Sequence, residues 1–222
     1  MKISKLSILF TLISSIFTVS SFAEPTNLSL LKHEIRKYYE SGQYEHEVTK
    51  QISQAKTFLL QQVQYYKTHK TDKKLALVLD IDETSLSNFT QISKRDFSGN
   101  AAEIHKEILA ANAPAIKATL DLYNTALANG VDVFFVTGRQ LSEQKATEKN
   151  LTEAGYKSWA GLYLKPKNYH NKSIIPFKSS SRALIEKKGY IILETIGDQC
   201  SDIKGGHAEK GFKLPNPYYY IS

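Results

Sequence analysis

A single cysteine, a single methionine, a single tryptophan and only six prolines occur in 222 residues. The lone thiol, Cys200, can form no intramolecular disulfide, which excludes a disulfide-stapled scaffold and a cysteine-rich metal centre. It is no Cys-x5-Arg nucleophile either, because that pattern needs Arg at position 206 and Gly206 stands there. The six histidines are scattered, and no Arg-His-Gly element occurs. The chain also lacks a G-x-x-x-x-G-K-[ST] phosphate loop and a G-x-S-x-G elbow, which removes the P-loop and serine-hydrolase classes. Whatever chemistry the chain performs runs on oxygen ligands and amines.

Long apolar runs are also missing, with one exception at the start. Lys2 and Lys5 precede an apolar stretch from Leu6 to Val19, and Ser21 and Ala23 place small residues at the −3 and −1 positions of a cleavage site. This is the pattern of a signal peptide over residues 1–23, too short for a spanning helix. The expectation is an exported chain, periplasmic or secreted, without a membrane anchor once cleaved. Lys and Arg outnumber Asp and Glu by 29 to 22. The lysines lie along the whole chain, so a solvated surface is expected rather than a nucleic-acid interface, though a small anionic substrate is drawn to such a surface.

Residues 24–222 have an ordinary globular composition, 41% of the whole chain being hydrophobic, and read as one domain. Two helical segments are expected over about 27–40 and 44–68, the second with Val48, Ile52, Ala55, Leu59 and Val63 on one stripe, together forming an N-terminal extension over 24–72. From 75 to the C-terminus strands and helices alternate. Strands are expected at 75–81, 131–136, 161–164 and 190–196, with a weaker fifth near Phe212, and helices at 101–112, 115–128, 142–155 and 179–188. This order predicts an α/β fold, an open parallel Rossmann-like sheet of about five strands with helices on both faces. Residues 88–113 form a small helical insertion after the first strand, too short for a large cap. Ligands of such sheets bind beyond the carboxyl ends of the strands.

Chemistry-bearing residues gather at those ends. The first strand runs into Asp80-Ile81-Asp82-Glu83-Thr84, and alternation along an extended backbone sends Asp80 and Asp82 to one side. The second ends in Thr137-Gly138-Arg139, a hydroxyl, a glycine and a guanidinium that suit phosphate; Arg139 can equally pair with an acid. Lys178 is expected just ahead of a helix N-terminus, an anion-attracting position. The fourth strand returns Asp198 and Asp202 to the same edge. Phe89, Tyr163 and Tyr169 lie near these elements in sequence, with core packing their expected role and stacking on a base or aryl group the alternative.

These four elements, in this order, resemble the haloacid-dehalogenase (HAD) superfamily of phosphotransferases, and within it the secreted acid phosphatases of the class C and plant class B type (subfamily IIIB). The matching residues are Asp80 to Thr84 for D-x-D-x-T, then Thr137, Lys178, and Gly197 to Asp202 for G-D-x-x-x-D. The resemblance implies a phosphomonoesterase, possible substrates including nucleotides, in which Asp80 is the nucleophile and Asp82 the acid and base. It further implies phosphate binding by Thr137, Gly138 and Lys178. The implied Mg2+ ligands are the Asp80 carboxylate, the Asp82 main-chain carbonyl and the Asp198 carboxylate, with Asp202 behind them. Four carboxylates around a phosphate themselves call for a cation, since each like pair near 4 Å costs about 4 kcal/mol at an effective dielectric of about 20. All-oxygen donors favour Mg2+ over zinc. Plant relatives of this type include storage proteins altered at the nucleophilic position, so a non-catalytic storage or anion-binding role is the alternative; the presence of Asp80 opposes it.

Overall fold

A computed structural model describes residues 24–221. The expected signal peptide lies outside the described residues.

Asn27 caps the first helix, α1 (Leu28–Glu40), its side-chain oxygen accepting from the Ser29 and Leu30 amides. Such a cap satisfies amides that have no partner within the helix. Gly42, at φ 80°, turns the chain into α2 (Gln43–Thr68), where the stripe from Val48 to Val63 is buried as its spacing predicts. β1 (Lys74–Leu79) follows. The insertion then forms α3 (Phe89–Lys94) and α4 (Ala101–Ala110), the latter capped by Asn100. After α5 (Lys117–Ala128) come β2 (Val131–Gln140), a single 3-10 turn at Leu141–Glu143, and α6 (Gln144–Ala154). The chain closes with β3 (Gly161–Lys165), α7 (Ile175–Lys187), β4 (Tyr190–Gly197), α8 (Cys200–Ile203) and β5 (Lys210–Lys213).

All five strands are parallel, in the order β3-β2-β1-β4-β5. β1 is central, and five of its six residues are apolar (Leu75 to Leu79), as suits a strand covered on both faces. Leu77, Leu79, Val133 and Phe135 face the larger core with α2 and α5. Ala76, Val78, Phe134 and Val136 face a smaller core with Ile185 of α7. The expected sheet and two-sided cover are therefore present.

Several boundaries differ from expectation. α7 begins at Ile175, not near Ser179, with Pro176 in its first turn, so Lys178 lies inside the helix. Pro tolerates that place because the first amides have no helical acceptor. β2 runs four residues further than its apolar stretch. α6 starts at Gln144 rather than at 142, because Glu143 closes a tighter turn ahead of it, accepting from the Gln140 amide at 2.7 Å. α5 starts two residues late because Ala115 pairs with Leu86 in an isolated bridge.

Candidate active site at the carboxyl edge of the sheet

Asp80 is the first residue past β1, yet its amide still donates to Ile196 O of β4 at 2.9 Å, which fixes it at the edge. Thr84, in the turn that follows, reaches the neighbouring strand end. Its hydroxyl donates to Asp198 Oδ1 (3.1 Å) and accepts from the Asp198 amide (3.0 Å). Thr84 thus clamps Asp198 beside Asp80.

Gly197 has to be a glycine because of a close approach. A Cβ there would lie 2.1 Å from the Asp202 carboxylate, which folds back over the strand end while its Oδ2 accepts from the Gln199 amide (2.8 Å). The one-turn α8 makes that reversal. Carboxylate oxygens of Asp80, Asp198 and Asp202 consequently lie within 4.8 Å of one another, all three residues buried. Lys178 enters from α7, donating to Asp80 Oδ1 at 2.8 Å and to Asp202 Oδ1.

Asp82 is not part of that trio. Its carboxylate turns to Arg139, which binds it through Nε and Nη2 (2.7 Å for the latter), and to Asn88 Nδ2 (2.8 Å). Arg139 Nη1 is braced by Thr147. The Asp82 side chain keeps 27% exposure where that of Arg139 has 1%. Of the two outcomes open for Arg139, pairing with an acid is the one found. The Asp82 carbonyl accepts no hydrogen bond among the described residues.

Burial sets the electrostatics. It pushes the Asp80 carboxyl well above its usual range, with Lys178 opposing and the charges of Asp202, Asp198 and Asp82 adding to it. Asp198 is raised by burial and by Asp202, against hydrogen bonds from Asn216 and Gln199. Asp82 moves the other way: burial would raise it, but the Arg139 guanidinium and Asn88 hold it low. Burial and Asp82 lift Glu83 to about 8. Burial works against the Lys178 ammonium, yet Asp80 and Asp202 keep it above the ordinary lysine value.

Thr137 is fully buried and accepts from the Arg139 amide. Gly138 and Arg139 bulge out of the β2–β3 pairing, and a Cβ on Gly138 would meet no atom of the described residues within 4 Å. Open space, rather than steric need, is what Gly138 faces. A cavity of about 380 Å³ lies beside Asp198, lined by Gln199, Cys200, Lys213, Asn216 and the tail tyrosines.

Asn88, Gln199, Asn216 and Tyr219, which bonds Glu83, carry no signal of the site in the sequence. Arg139 does, through its place one residue after Gly138. The three aromatics pack: Phe89 stacks on Tyr39, Tyr163 lies against Phe134, and Tyr169 against Phe177.

The sequence profile of the HAD superfamily, subfamily IIIB (Acid phosphatase), matches residues 19–222. The chain belongs to this subfamily. Among its relatives, a stem 28 kDa glycoprotein of Glycine max is 37% identical over 76% of this chain and 69% of its own length. Acid phosphatase 1 of Solanum lycopersicum is 36% identical over 65% of this chain and 58% of its own. The class C acid phosphatase of Bacillus anthracis superposes with a TM-score of 0.68 over 86% of both chains, at 22% identity, a likeness of fold. As a subfamily IIIB chain the protein is a phosphomonoesterase of the acid phosphatase type. The acids at its sheet edge suit a divalent cation: the carboxylates of Asp80, Asp82, Asp198 and Asp202 stand against two cations, Lys178 and Arg139, and every side-chain donor is oxygen. No helix among the described residues is long and apolar enough to cross a membrane.

Proposed function

We propose that this protein is an exported, Mg2+-dependent acid phosphatase that hydrolyses small phosphomonoesters, nucleotides among the candidates, through a phosphoryl group carried on Asp80. The observation that carries this reading is the meeting of Asp80, Asp198 and Asp202 within 4.8 Å, with Lys178 bonded to two of them. Two negative charges in excess, in a buried place, match one divalent cation. The Asp80 and Asp198 carboxylates and the free Asp82 carbonyl would hold Mg2+, which screens the phosphate from the acids and offsets charge in the transition state. Asp202, with both oxygens already engaged by Lys178 and the Gln199 amide, orients from behind.

Asp80 attacks phosphorus, the ester oxygen leaves with a proton from Asp82, and Asp82 then takes a proton from the water that hydrolyses the aspartyl-phosphate. Thr137, the Gly138 bulge and Lys178 surround the phosphoryl oxygens, where charge accumulates. Arg139 holds Asp82 in place and favours its anionic form, the one needed for the second step, so the proton of the first step comes from the fraction of Asp82 protonated in acid. Export is supported by the basic, apolar and small-residue order of residues 1–23.

A colorimetric aryl phosphate assay tests the proposal. Turnover is expected with Mg2+, lost on chelation and restored by adding the ion back. Chelator-resistant turnover would remove the metal from the reading, and absence of any turnover would favour the storage role.

A further inference from the structure

Between Ala154 and Ile185 the sequence has no acidic residue, while Lys157, Lys165, Lys167, Lys172, Lys178 and Arg182 fall there together with His170. Along a line this would be an ordinary solvated stretch. The fold concentrates part of it at one place. β3 ends at Lys165, which pairs with Gln140 just past the Thr137–Arg139 bulge. α7 begins at Ile175 and puts Lys178 onto Asp80. The connection 166–174 therefore leaves the sheet next to Thr137 and Gly138 and returns beside Lys178, forming a rim on the β2–β3 side of the site. Lys167, His170 and Lys172 are exposed on it.

The other cations of the stretch are committed. Lys178 bonds Asp80 and Asp202, and Arg182 donates to the carbonyls of Asp202, Lys204 and Gly206. Lys157 donates to Thr152 O. By contrast, no ion pair among the described residues involves Lys165, Lys167, His170 or Lys172. The loop is also folded on itself: the Tyr169 hydroxyl donates to Ser173 O (2.6 Å), the Tyr169 amide to Pro166 O (3.1 Å), and its ring packs edge-on against Phe177. Like charges held together on a short, internally bonded loop repel one another, and an anion placed among them relieves that repulsion.

We infer that this rim binds a second phosphate of the substrate, so that the preferred substrates are phosphate esters carrying another phosphate beyond the one cleaved. The inference rests on the phosphatase reading above. The scissile group sits at Asp80, Thr137 and Lys178, where the Lys178 ammonium is already paired with Asp80 and Asp202, and the second phosphate lies over Lys165, Lys167 and Lys172.

The test compares a hexose bisphosphate with the matching hexose monophosphate on the wild type and two charge-matched doubles. Lys167→Gln with Lys172→Gln alters the rim; Lys70→Gln with Lys73→Gln removes equal charge at the amino edge of the sheet. The wild type is expected to favour the bisphosphate in kcat/KM by about tenfold. The rim double should lose that advantage with the monophosphate changed by less than about twofold, and the amino-edge double should keep it. No preference in the wild type, or equal losses in both doubles, would overturn the rim. If neither ester turns over, the phosphatase reading fails instead. The rim then stands or falls by calorimetry with inorganic tripolyphosphate and Mg2+: binding weakened only in the rim double supports it, and binding equal in all three proteins refutes it.

Discussion

Asp80 and Thr84 lie four residues apart in one turn and do different work. Asp80→Asn keeps an oxygen for Lys178 to bond but no nucleophilic carboxylate. It is expected to abolish turnover while circular dichroism and the melting temperature stay close to wild type; residual activity in the purified variant would remove Asp80 from the nucleophile's role. Thr84→Val keeps the shape and deletes both bonds to Asp198. An outer partner of a metal ligand typically sets its affinity by about 10 to 100-fold, so the Mg2+ concentration giving half-maximal activity should rise by that order. The cost in stability should be about 1 to 3 kcal/mol from the orphaned groups. An unchanged Mg2+ titration would make Thr84 a turn residue only. The acids were legible in sequence because their type and spacing encode the chemistry. Thr84 on Asp198 and Arg139 on Asp82 were not, because each contact joins strands that only the sheet order brings together.

At the scale of elements, a bulge in β4 pairs Glu194 with Leu77 on the α2 side of the sheet. Neither carboxylate oxygen has a hydrogen-bond partner among the described residues. Lys210 is in register on β5, but its ammonium lies over the rings of Phe58 and Phe212. Burial lifts Glu194 to about 9, with Lys210 only partly opposing. The folded chain thus holds a proton that an unfolded chain loses near its ordinary value of 4.5. Stability is therefore fullest below that value and falls as pH climbs through the window to about 9, by up to about 1.4 kcal/mol per pH unit. Glu194→Gln should melt like the wild type near about pH 5 and clearly above it near about pH 8.5. Parallel melting curves at both pH values would contradict the assignment. β1 and the α2 stripe were legible because continuous apolar and 3.6-residue patterns are strong. The one-turn α8 is too short to show a period, and the expected start of α7 at 179 falls four residues late because Pro176, which marks the first turn, reads equally well as a loop residue.

At the scale of the molecule, the N-terminal helices and the C-terminal tail meet on one side of the active edge. Tyr44 of α2, Phe89 of α3 and Tyr218 of the tail share an aromatic cluster, while Asn216 and Tyr219 reach Asp198 and Glu83. Sequence pattern alone predicts the sheet and the edge at which the acids gather. It could not give this closure, since aromatic residues far apart in the chain carry no mark of their partners. If the acids form a cation site only in the folded chain, Mg2+ stabilises the fold by mass action, about 2.7 kcal/mol at 100 times its dissociation constant. Thermal unfolding should show that rise in the wild type and lose it in Asp198→Asn; an equal rise in both would place the ion elsewhere.

A phosphoryl group carried on Asp80 can be trapped during turnover. Rapid quenching during turnover, borohydride reduction of the acyl-phosphate and peptide mass mapping measure it directly. Conversion of Asp80 to homoserine, requiring both substrate and Mg2+, is the predicted result. Continued hydrolysis with Asp80 unmodified, or homoserine at another aspartate, would contradict the account.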